Sequence, residues 1–285
     1  MPTAKIIDGK SIAEQIRKEL KEEIYKERFV PRLDVVLVGN DPASRIYVQK
    51  KYEACHSVGM SSVIHHLDDI TEEKLLDTIE ELNHCGLTHG ILVQLPLPGF
   101  DTHKVFSAIH PFKDVDVFNP TNVGLLVQGR PRFQPCTPHG IQIMLHRSGI
   151  SVKGKHVVVI NRSNIVGKPL SSMLIQDNDE FANATVTVCH NNTPPEQLSS
   201  ITRMADIVVV AVGIPNFLKA DMIRSGAVVV DVGTTKVAGK LFGDVDPTVW
   251  EVASYVTPVP GGVGPMTVAM LLVNTLQAAR YHCAS

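Results

Sequence analysis

Residues 156–169 decide the fold; they read His-Val-Val-Val-Ile-Asn-Arg-Ser-Asn-Ile-Val-Gly-Lys-Pro. The first five are almost wholly apolar, as expected for a strand that is buried on both faces of a parallel sheet. Polar residues, a glycine and a helix start follow, an order that aims backbone N–H groups at a pyrophosphate. The pattern GxGxxG is absent because Asn161 stands where its first glycine would be. Arg162 and Lys168 add positive charge suited to phosphate, or are merely solvated.

Three further apolar runs follow in the second half of the chain and strengthen this prediction. They cover residues 184–188, 207–212 and 227–232, and the last two end directly before Gly213 and Gly233. Consecutive strands ending in glycine are typical of a doubly wound nucleotide-binding sheet, because ligands bind outside the carboxyl ends of its strands. We therefore predict a Rossmann-like sheet in this half.

The first half of the chain alternates helix-like and strand-like segments. Apolar spacing predicts a helix at 12–25, a strand at 33–38, a helix from 44 to 55, a strand at 62–66, a helix at 71–83 and a strand at 90–95. Ser44 is the expected N-cap of the second helix. The alternation predicts a parallel sheet with covering helices. The Pro-rich segment 131–138 marks the approach to a boundary, so the predicted class is α/β with two domains.

Composition and charge exclude several classes of function. A net charge of -2 gives no reason to expect nucleic acid or an anionic membrane as a partner. The five cysteines are odd in number and lack CxxC spacing, which argues against disulfides and against a metal site. The chain start lacks a signal-peptide pattern, and no apolar run reaches the roughly 18 residues that a spanning helix needs. We expect a soluble cytoplasmic protein, with the dispersed histidines, His65 and His66 among them, on its surface.

Tyr47 and Lys51 are four residues apart, so they share one face if their segment is helical. A phenol ring can stack on a planar ligand, and a partly desolvated lysine can transfer protons near neutral pH. The alternative, more frequent on spacing alone, is an exposed pair on an amphipathic helix. Lys50 points elsewhere on such a helix and serves as an internal control.

Two other polar features stand out from their surroundings. Gln94 lies near the end of an apolar strand, where an amide needs a hydrogen-bond partner, a ligand or a position at the strand end. Asp114 and Asp116 are two residues apart and could face the same way in extended chain, accepting hydrogen bonds from the amines of a ligand. A solvated acidic turn is the alternative for this pair.

These features lie in six segments whose sequences and order resemble the motifs of the methylenetetrahydrofolate dehydrogenase/cyclohydrolase family. The segments are Val-Gly-Asn-Asp-Pro-Ala-Ser at 38–44 leading to Tyr47 and Lys51, Val-Gln-Leu-Pro-Leu-Pro at 93–98, Lys-Asp-Val-Asp at 113–116, Pro-Cys-Thr-Pro-His-Gly at 135–140, Arg-Ser-Asn-Ile-Val-Gly-Lys-Pro at 162–169 and Thr-Pro-Val-Pro-Gly-Gly-Val-Gly-Pro-Met-Thr at 257–267. The last run is the most specific, and together the segments span nearly the whole chain.

The resemblance implies a particular domain organisation. It implies a folate-binding catalytic domain made of residues 1–143 and 268–285, a Rossmann-like NAD(P)-binding domain at 144–267, and a cleft between them. The segment after Met266 would return to pack on the first domain. A homodimer is also implied, and the apolar strand 184–188 is a candidate edge for it.

The resemblance further implies a two-step reaction of one-carbon metabolism. In the first step 5,10-methylenetetrahydrofolate is oxidised to the methenyl cation, with hydride passing to a nicotinamide ring. In the bifunctional members water then attacks the methenyl carbon, and 10-formyltetrahydrofolate results. Hydride transfer asks the protein mainly to position two rings and exclude water, so only the hydrolysis clearly needs an ionisable group.

Roles follow position by position from the same resemblance. Lys51 matches the lysine that handles proton transfer in hydrolysis, Gln94 the amide that pairs with it, Tyr47 the aromatic residue that stacks on folate, and Asp116 the carboxylate that binds the amino-bearing edge of the pterin. The expected substrate-binding residues are Tyr47, Gln94, Leu95, Asp116, Pro258, Gly261 and Gly262. The expected cofactor-binding residues are Asn161, Arg162, Ser163, Gly167, His190, Asn191, Gly213, Gly233 and Thr234.

Three positions depart from the family pattern. Asn161 replaces the glycine that usually precedes Arg-Ser, and Val117 follows Asp116 where glycine is common. Asn191 stands where NADP-using relatives often have serine, and it can still hydrogen-bond a phosphate. Because Asn183 and Asn191 hold the places of the Asp and Arg of the magnesium-assisted NAD users, we expect NADP with no metal. Arg162 is the expected partner of its 2′-phosphate.

Other functions remain as alternatives. A dehydrogenase without cyclohydrolase activity would tolerate a poorly tuned Lys51, and a non-catalytic folate- or nucleotide-binding protein would need neither Lys51 nor Gln94. Tyr47 and Lys51 also fit the YxxxK pair of short-chain dehydrogenases, but that family places its cofactor loop before the pair. Here the candidate loop at Arg162 comes after it.

Overall fold

The structure, a computed structural model, describes residues 4–177 and 180–284. The helices are α1 (Gly9–Lys26), α2 (Pro42–Ser57), α3 (Glu72–His84), α4 (Thr102–Ala108), α5 (Pro120–Val127), α6 (Cys136–Arg147), α7 (Gly167–Leu174), α8 (Pro195–Met204) and α9 (Val263–Ala284). The strands are β1 (Lys5–Ile6), β2 (Arg32–Val38), β3 (Ser61–Leu67), β4 (Gly90–Val93), β5 (His156–Ile160), β6 (Thr185–Cys189), β7 (Ile207–Val210), β8 (Val228–Asp231), β9 (Thr235–Val237), β10 (Lys240–Phe242) and β11 (Tyr255–Val256). Across these described residues, no helix combines the length and apolarity needed to cross a membrane.

The chain divides into two compact units, each with its own parallel sheet. The six-stranded unit contains the described residues up to Ala13 together with Thr137–Thr267, and the three-stranded unit contains Glu14–Cys136 and the chain from Val268 onward. The described residues up to Ala13 were expected in the folate-binding domain, but they group with the six-stranded sheet. The reason is that β1 pairs in parallel with β11, placing Lys5 opposite Tyr255.

The three-stranded unit is built around β2, which pairs in parallel with β3 on one side and β4 on the other. The interior of β2 is buried throughout because helices cover the sheet. The core beside it comprises Val36, Leu75, Ile79, Leu82, Ile91, Val93, Leu97, Val105 and Ile109. Helix α9 belongs to this unit from Val268 onward, and its Arg280 donates a 2.8 Å hydrogen bond to Glu27, the residue just after α1.

The six-stranded sheet has the order β1-β11-β8-β7-β5-β6, and every neighbouring pair is parallel. The chain begins the doubly wound part at β5, adds β6 on one side and then crosses to add β7 on the other. The carboxyl end of β5 is therefore a topological switch point, where such sheets bind their ligands. Valine-rich strands β7 and β8 are buried on both faces, as their apolar sequences predict.

The start of α2 differs from the sequence prediction. Asp41, not Ser44, is the N-cap: its carboxylate accepts a hydrogen bond from the Ser44 backbone N–H at 2.7 Å and one from the Ser44 hydroxyl at 2.8 Å. Pro42 occupies the first turn, where its missing N–H costs nothing. The serine lies inside the helix because the preceding aspartate takes the capping role.

A charged cluster crosses the middle of the three-stranded sheet. Asp34 is fully buried in β2 and accepts two 2.8 Å hydrogen bonds from Arg32 and one of 2.7 Å from Nε2 of His65. His65 is thus a partner of a buried carboxylate, which corrects the expectation of a plain surface residue. Burial alone would raise the pKa of Asp34, but the hydrogen bonds from His65, Arg32 and Thr88 lower it overall.

His89 lies beside this cluster and is buried. Its Nδ1 accepts a hydrogen bond from the Arg32 backbone N–H at 3.0 Å, so the ring is held in its neutral form. Burial lowers the pKa of His89 to about 4, helped by the positive charges of His282, Lys113 and Arg32 and opposed by Asp34.

His89 makes stability depend on pH, with a sign that follows from its depressed pKa. Because the folded pKa of about 4 lies below the ordinary 6.5, its contribution is present above pH 6.5 and is lost as pH falls towards 4. His89→Asn retains an oxygen that can accept from Arg32 but does not titrate. The free energy of unfolding of the wild type should therefore fall by about 2–3 kcal/mol relative to the variant over this range. Urea unfolding at several pH values tests this, and parallel losses in both proteins would contradict it.

Candidate active site

The three-stranded unit brings Lys51 and Gln94 together, although 43 residues separate them in the chain. Lys51 lies in the third turn of α2, and its Nζ donates a 2.9 Å hydrogen bond to Oε1 of Gln94, just beyond β4. The amide nitrogen of Gln94 donates to the carbonyl of Leu95 at 2.7 Å. Because both ends of the amide are engaged, its oxygen is fixed towards the lysine.

The surroundings of Lys51 favour a neutral amine. Burial lowers the pKa of Lys51, and the Asp116 carboxylate opposes that shift, with smaller opposing effects from Cys136 and Cys55. An amine whose pKa is brought down towards neutrality can both accept and return a proton. Lys51 therefore has the environment of a general acid–base group.

The run 113–116 splits into three different roles, so its two carboxylates do not act as a matched pair. Lys113 donates from Nζ to the carbonyls of Leu82, Asn83 and Cys85, at 2.9, 2.7 and 2.9 Å, and thereby caps α3. Asp114 is buried and accepts from the backbone N–H groups of Phe118 and Asn119. Asp116 alone interacts with the charge of Lys51.

The residue after Asp116 adopts an unusual backbone conformation. Val117 has φ of 65° although it is β-branched, and its side chain is buried. A non-glycine residue in the left-handed region costs on the order of 1–3 kcal/mol and persists only where its surroundings fix it. Val117 stands where the resemblance led us to expect glycine, and its surroundings hold the segment carrying Asp116 against backbone strain.

Tyr47 lies one turn before Lys51 on α2 and is 44% exposed. Its ring therefore remains available to a ligand, as the stacking role requires. Lys50 is also exposed, consistent with a direction away from Gln94 and Asp116. Leu95 is half-buried, and its carbonyl accepts a long 3.5 Å hydrogen bond from Ser44 as well as the bond from Gln94.

In the six-stranded unit, the side chain of Asn161 organises the loop at the switch point. Its Oδ1 accepts from the backbone N–H groups of Ser163 and Gly167 at 2.8 and 2.9 Å, and its Nδ2 donates to the carbonyl of Ala211 at 2.6 Å. A Cβ at Gly167 would collide with the Asn161 backbone, so only glycine fits there. The side chain of Asn161, which was predicted to bind the cofactor, joins the ends of β5 and β7.

Two exposed polar side chains lie beside this loop. Nη2 of Arg162 donates to Oδ1 of Asn191 at 2.7 Å, across the ends of β5 and β6. After β5, the hydroxyl of Ser163 accepts a hydrogen bond from the Val166 backbone N–H at 3.1 Å. After β6, the backbone N–H of His190 donates to Oγ1 of Thr193 at 3.0 Å, so the backbone of both loops is ordered. A guanidinium and an amide so placed suit the oxygens of a phosphate.

The predicted glycines Gly213 and Gly233 are held by a carboxylate that sequence reasoning missed. Asp244 is fully buried, and its Oδ2 accepts from the backbone N–H groups of Val212 and Gly213 at 2.6 and 3.0 Å. Gly233 approaches Asp244 so closely that a Cβ would collide with the carboxyl group. Thr234, the next residue, is exposed at this edge.

A second buried carboxylate, Asp231, ends β8 and completes this arrangement. It accepts from the backbone N–H groups of Gly233, Asp244 and Val245 at 3.0, 2.9 and 2.9 Å. Burial raises the pKa of Asp231 to about 6, and the charge of Asp244 adds to the rise. The signal available in the sequence was an aspartate that terminates an apolar strand.

The remaining predicted substrate residues lie in the six-stranded unit, between β11 and α9. Gly261 has φ of 111°, a conformation that favours glycine, and its carbonyl accepts from Lys10 N–H at 2.8 Å. A Cβ on Gly262 would lie 2.7 Å from the carbonyl oxygen of Pro258. Glycine is thus required at Gly262 by the close approach of Pro258, and it is favoured at Gly261 by the backbone conformation.

A doubly wound sheet with a glycine-rich carboxyl edge, in one chain with a half-buried lysine held by an amide, defines a nucleotide-dependent enzyme of two α/β units. The family model described as tetrahydrofolate dehydrogenase/cyclohydrolase, catalytic domain, matches residues 7–116. The model for the NAD(P)-binding domain of the same family matches residues 135–283. The chain belongs to the tetrahydrofolate dehydrogenase/cyclohydrolase family.

Known proteins support this assignment along the full length. The chain is 51% identical over 304 residues to the bifunctional protein FolD of Rhodopirellula baltica, with 100% of both chains covered. The bifunctional enzyme FolD-methylenetetrahydrofolate dehydrogenase/cyclohydrolase of Campylobacter jejuni superposes with a TM-score of 0.92 at 45% identity, covering 98% of this chain and 99% of that one. The Trypanosoma brucei N5,N10-methylenetetrahydrofolate dehydrogenase-cyclohydrolase, complexed with NADP cofactor and inhibitor, gives 0.93 at 39% identity, with 100% of each covered. The predicted family and the two-domain α/β fold are confirmed.

Removing the Asp244 carboxylate should loosen the edge where the cofactor is expected. Asp244→Ala would leave two backbone N–H groups unpaired, at a cost of about 1–3 kcal/mol each. We expect a loss of about 2–4 kcal/mol in the free energy of unfolding and a roughly tenfold higher KM for the nicotinamide cofactor, to be measured by denaturation and steady-state kinetics. Asp221→Ala, at an exposed aspartate, is the matched control, and it should change the free energy of unfolding and the cofactor KM little. An unchanged cofactor KM in Asp244→Ala would refute this role.

Proposed function

We propose that this chain oxidises 5,10-methylenetetrahydrofolate with NADP and then hydrolyses the methenyl product to 10-formyltetrahydrofolate. The observation that carries the proposal is the hydrogen bond between Lys51 Nζ and Gln94 Oε1 beside Asp116. Lys51 in this setting is a proton-transfer group with a lowered pKa, which the hydrolysis needs and the oxidation alone does not. The relatives named bifunctional at about half identity over their whole length favour the same two-step reaction.

Lys51 handles the protons of the hydrolytic step. When water adds to the methenyl carbon, one O–H proton must leave, and the neutral amine of Lys51 accepts it. Protonated Lys51 then gives this proton to N5 as the bond from carbon to N5 breaks and N5 keeps the electron pair, while the hydroxyl proton leaves to solvent as the formyl C=O forms. One proton is released overall, and Lys51 returns to its neutral form. Gln94 holds the lysine in place throughout by accepting from its Nζ.

Asp116 and Tyr47 bind the folate. A carboxylate accepts hydrogen bonds from adjacent N–H groups, so Asp116 suits the amino-bearing edge of the pterin. The exposed ring of Tyr47 stacks on the planar ligand. Leu95, Pro258, Gly261 and Gly262 complete the proposed substrate set, with the two glycines allowing backbone to approach the ligand closely.

The donor set at the edge of the six-stranded sheet fits NADP. Bound NADP supplies the hydride acceptor of the oxidation step. Arg162 and Asn191, paired at 2.7 Å, would hold the 2′-phosphate. The proposed pyrophosphate contacts are backbone groups at Ser163 and Gly167, which Asn161 positions. His190, Gly213, Gly233 and Thr234 would line the rest of the cofactor site.

A monofunctional dehydrogenase and a non-catalytic binding protein are the alternatives. Neither requires the amine of Lys51 to be desolvated and hydrogen-bonded to an amide, an arrangement that costs stability. The bifunctional reading explains the arrangement and is therefore preferred.

We further propose a cytoplasmic homodimer. All five cysteines, which lie in the described ranges, are free, in keeping with a reducing compartment. Strand β6 forms an edge of its sheet, and its Val188 is 41% exposed, so this edge is a candidate contact between copies.

Replacing Lys51 should separate the two activities. Lys51→Met keeps the length of the side chain but removes the amine, so cyclohydrolase turnover should fall about 10²–10⁴-fold. Dehydrogenase activity should be partly kept, because hydride transfer does not use the amine. The measurement is the decay of methenyltetrahydrofolate absorbance. Lys50→Met, at the exposed neighbour, should hydrolyse normally; undiminished hydrolysis in Lys51→Met would remove Lys51 from the mechanism.

Replacing Arg162 should test which cofactor this edge reads. Arg162→Ala removes the guanidinium proposed to bind the 2′-phosphate, so KM for NADP should rise roughly 10–100-fold, equivalent to about 1.4–3 kcal/mol. NAD lacks this phosphate, so its KM should change little. Arg203→Ala, at an exposed arginine of α8, controls for loss of positive charge. Equal increases in KM for NADP and NAD would show that Arg162 does not distinguish the two cofactors.

A further inference from the structure

Asn274 is a buried amide in the apolar helix α9, and no role described so far uses it. It is 4% exposed and lies in the three-stranded unit. Its Nδ2 donates to the carbonyl of Val115 and to the carbonyl of Gln134, both at 2.8 Å. The two donors of one amide group therefore tie two segments that are distant from each other and from α9 in sequence.

A second donor meets the same carbonyl. The thiol of Cys136 lies 3.4 Å from the Val115 oxygen and 3.6 Å from Nδ2 of Asn274. Burial raises the pKa of Cys136 well above its ordinary value, with Asp116 adding to the rise, so the group stays a thiol and a donor. Val115 is itself fully buried, and it packs so closely on Gly90 that a Cβ there would come within 2.8 Å of its side chain.

We propose that Asn274 is a positioning residue for the reaction, acting through the Val115 carbonyl to place the Asp116 carboxylate beside Lys51 and the folate. The inference rests on the role proposed above for Asp116. The clamped carbonyl belongs to the peptide bond that leads directly into Asp116. On the other side Val117 is held at φ of 65°, so the backbone of Asp116 is fixed from both directions.

This clamp matters because both functions of Asp116 depend on its position. Binding of the pterin edge requires the carboxylate within hydrogen-bonding distance, and a displacement near 1 Å can cost about 10²-fold in rate. The carboxylate also opposes the fall in the pKa of Lys51. If Asp116 moves away, the lysine loses this opposition, and it becomes neutral at lower pH. The other groups facing Lys51 are Gln94, Cys55 and Cys136.

The test compares Asn274→Leu with Thr275→Val. Leucine has the same number and branching of side-chain heavy atoms as asparagine but donates no hydrogen bond. Thr275 is the buried neighbour on α9, and its hydroxyl bonds only within the helix, to Leu271 at 2.8 Å, among the contacts described. In Asn274→Leu we expect KM for methylenetetrahydrofolate to rise about tenfold, KM for NADP to stay within about twofold, and the acid limb of the cyclohydrolase pH profile to move to lower pH. Thr275→Val should alter none of these.

Cys136→Ala provides a second variant in case Asn274→Leu fails to fold. It removes the weaker donor to the same carbonyl and should raise the folate KM by a smaller factor in the same direction. In the double variant of Asn274→Leu with Asp116→Asn, the folate KM should rise by less than the product of the two single-variant increases, because both changes act through one carboxylate.

The outcomes separate the two proposals. If Asn274→Leu and Cys136→Ala lower only Tm, with the folate KM and pH profile unchanged, Asn274 is a structural residue and the inference is wrong. If the increases in folate KM simply multiply in the double variant, the inference is also wrong. If Asp116→Asn itself leaves the folate KM unchanged, the binding role of Asp116 is wrong, and the positioning role of Asn274 falls with it.

Discussion

A strand that is buried on both faces of a parallel sheet has no room for unpaired polar groups, and the rest of this structure depends on that constraint. In each unit a polar group of the candidate site therefore lies where an apolar strand ends, and the one carboxylate inside β2, Asp34, is fully paired. Gln94 follows β4, Asn161 follows β5, and Asp231 closes β8. Because parallel strands bring their carboxyl ends to the same edge, groups far apart in sequence meet there. The proposed catalytic and nucleotide-binding positions are thus products of the same packing rule.

The same constraint explains why the elements could be predicted from the sequence so well. Runs such as 156–160 and 207–212 are apolar because both faces are covered, and the observed strands begin at the predicted residues. The interior of β2 is likewise apolar except for Asp34, whose buried carboxylate is paired with Arg32 and His65. Caps were less certain, since both Asp41 and Ser44 have the chemistry of an N-cap and only the path of the backbone chooses between them. The family could be recognised because short motifs occur in a fixed order.

The candidate site was only partly predictable. Spacing placed Tyr47 and Lys51 on one helix, but it could not bring Gln94 to the lysine across 43 residues; that pairing came from the resemblance. Nor could it show that Asp114 turns inward while Asp116 faces Lys51. The largest omissions, Asp244 and Asn274, bind distant backbone groups, with Asn274 and Val115 159 residues apart. Such contacts leave no periodicity, and their only trace is a polar residue in apolar surroundings.

The interleaving of the chain has a consequence for biosynthesis. The three-stranded unit takes residues 14–136 from the first half of the chain, but it is completed by the chain from Val268 onward. On the ribosome its sheet emerges early, yet the helix that supports the Asp116 segment follows the six-stranded unit in the chain. The proposed catalytic centre therefore matures only after the six-stranded unit has been synthesised. A nascent chain released early would carry the nucleotide-binding residues without a finished folate site.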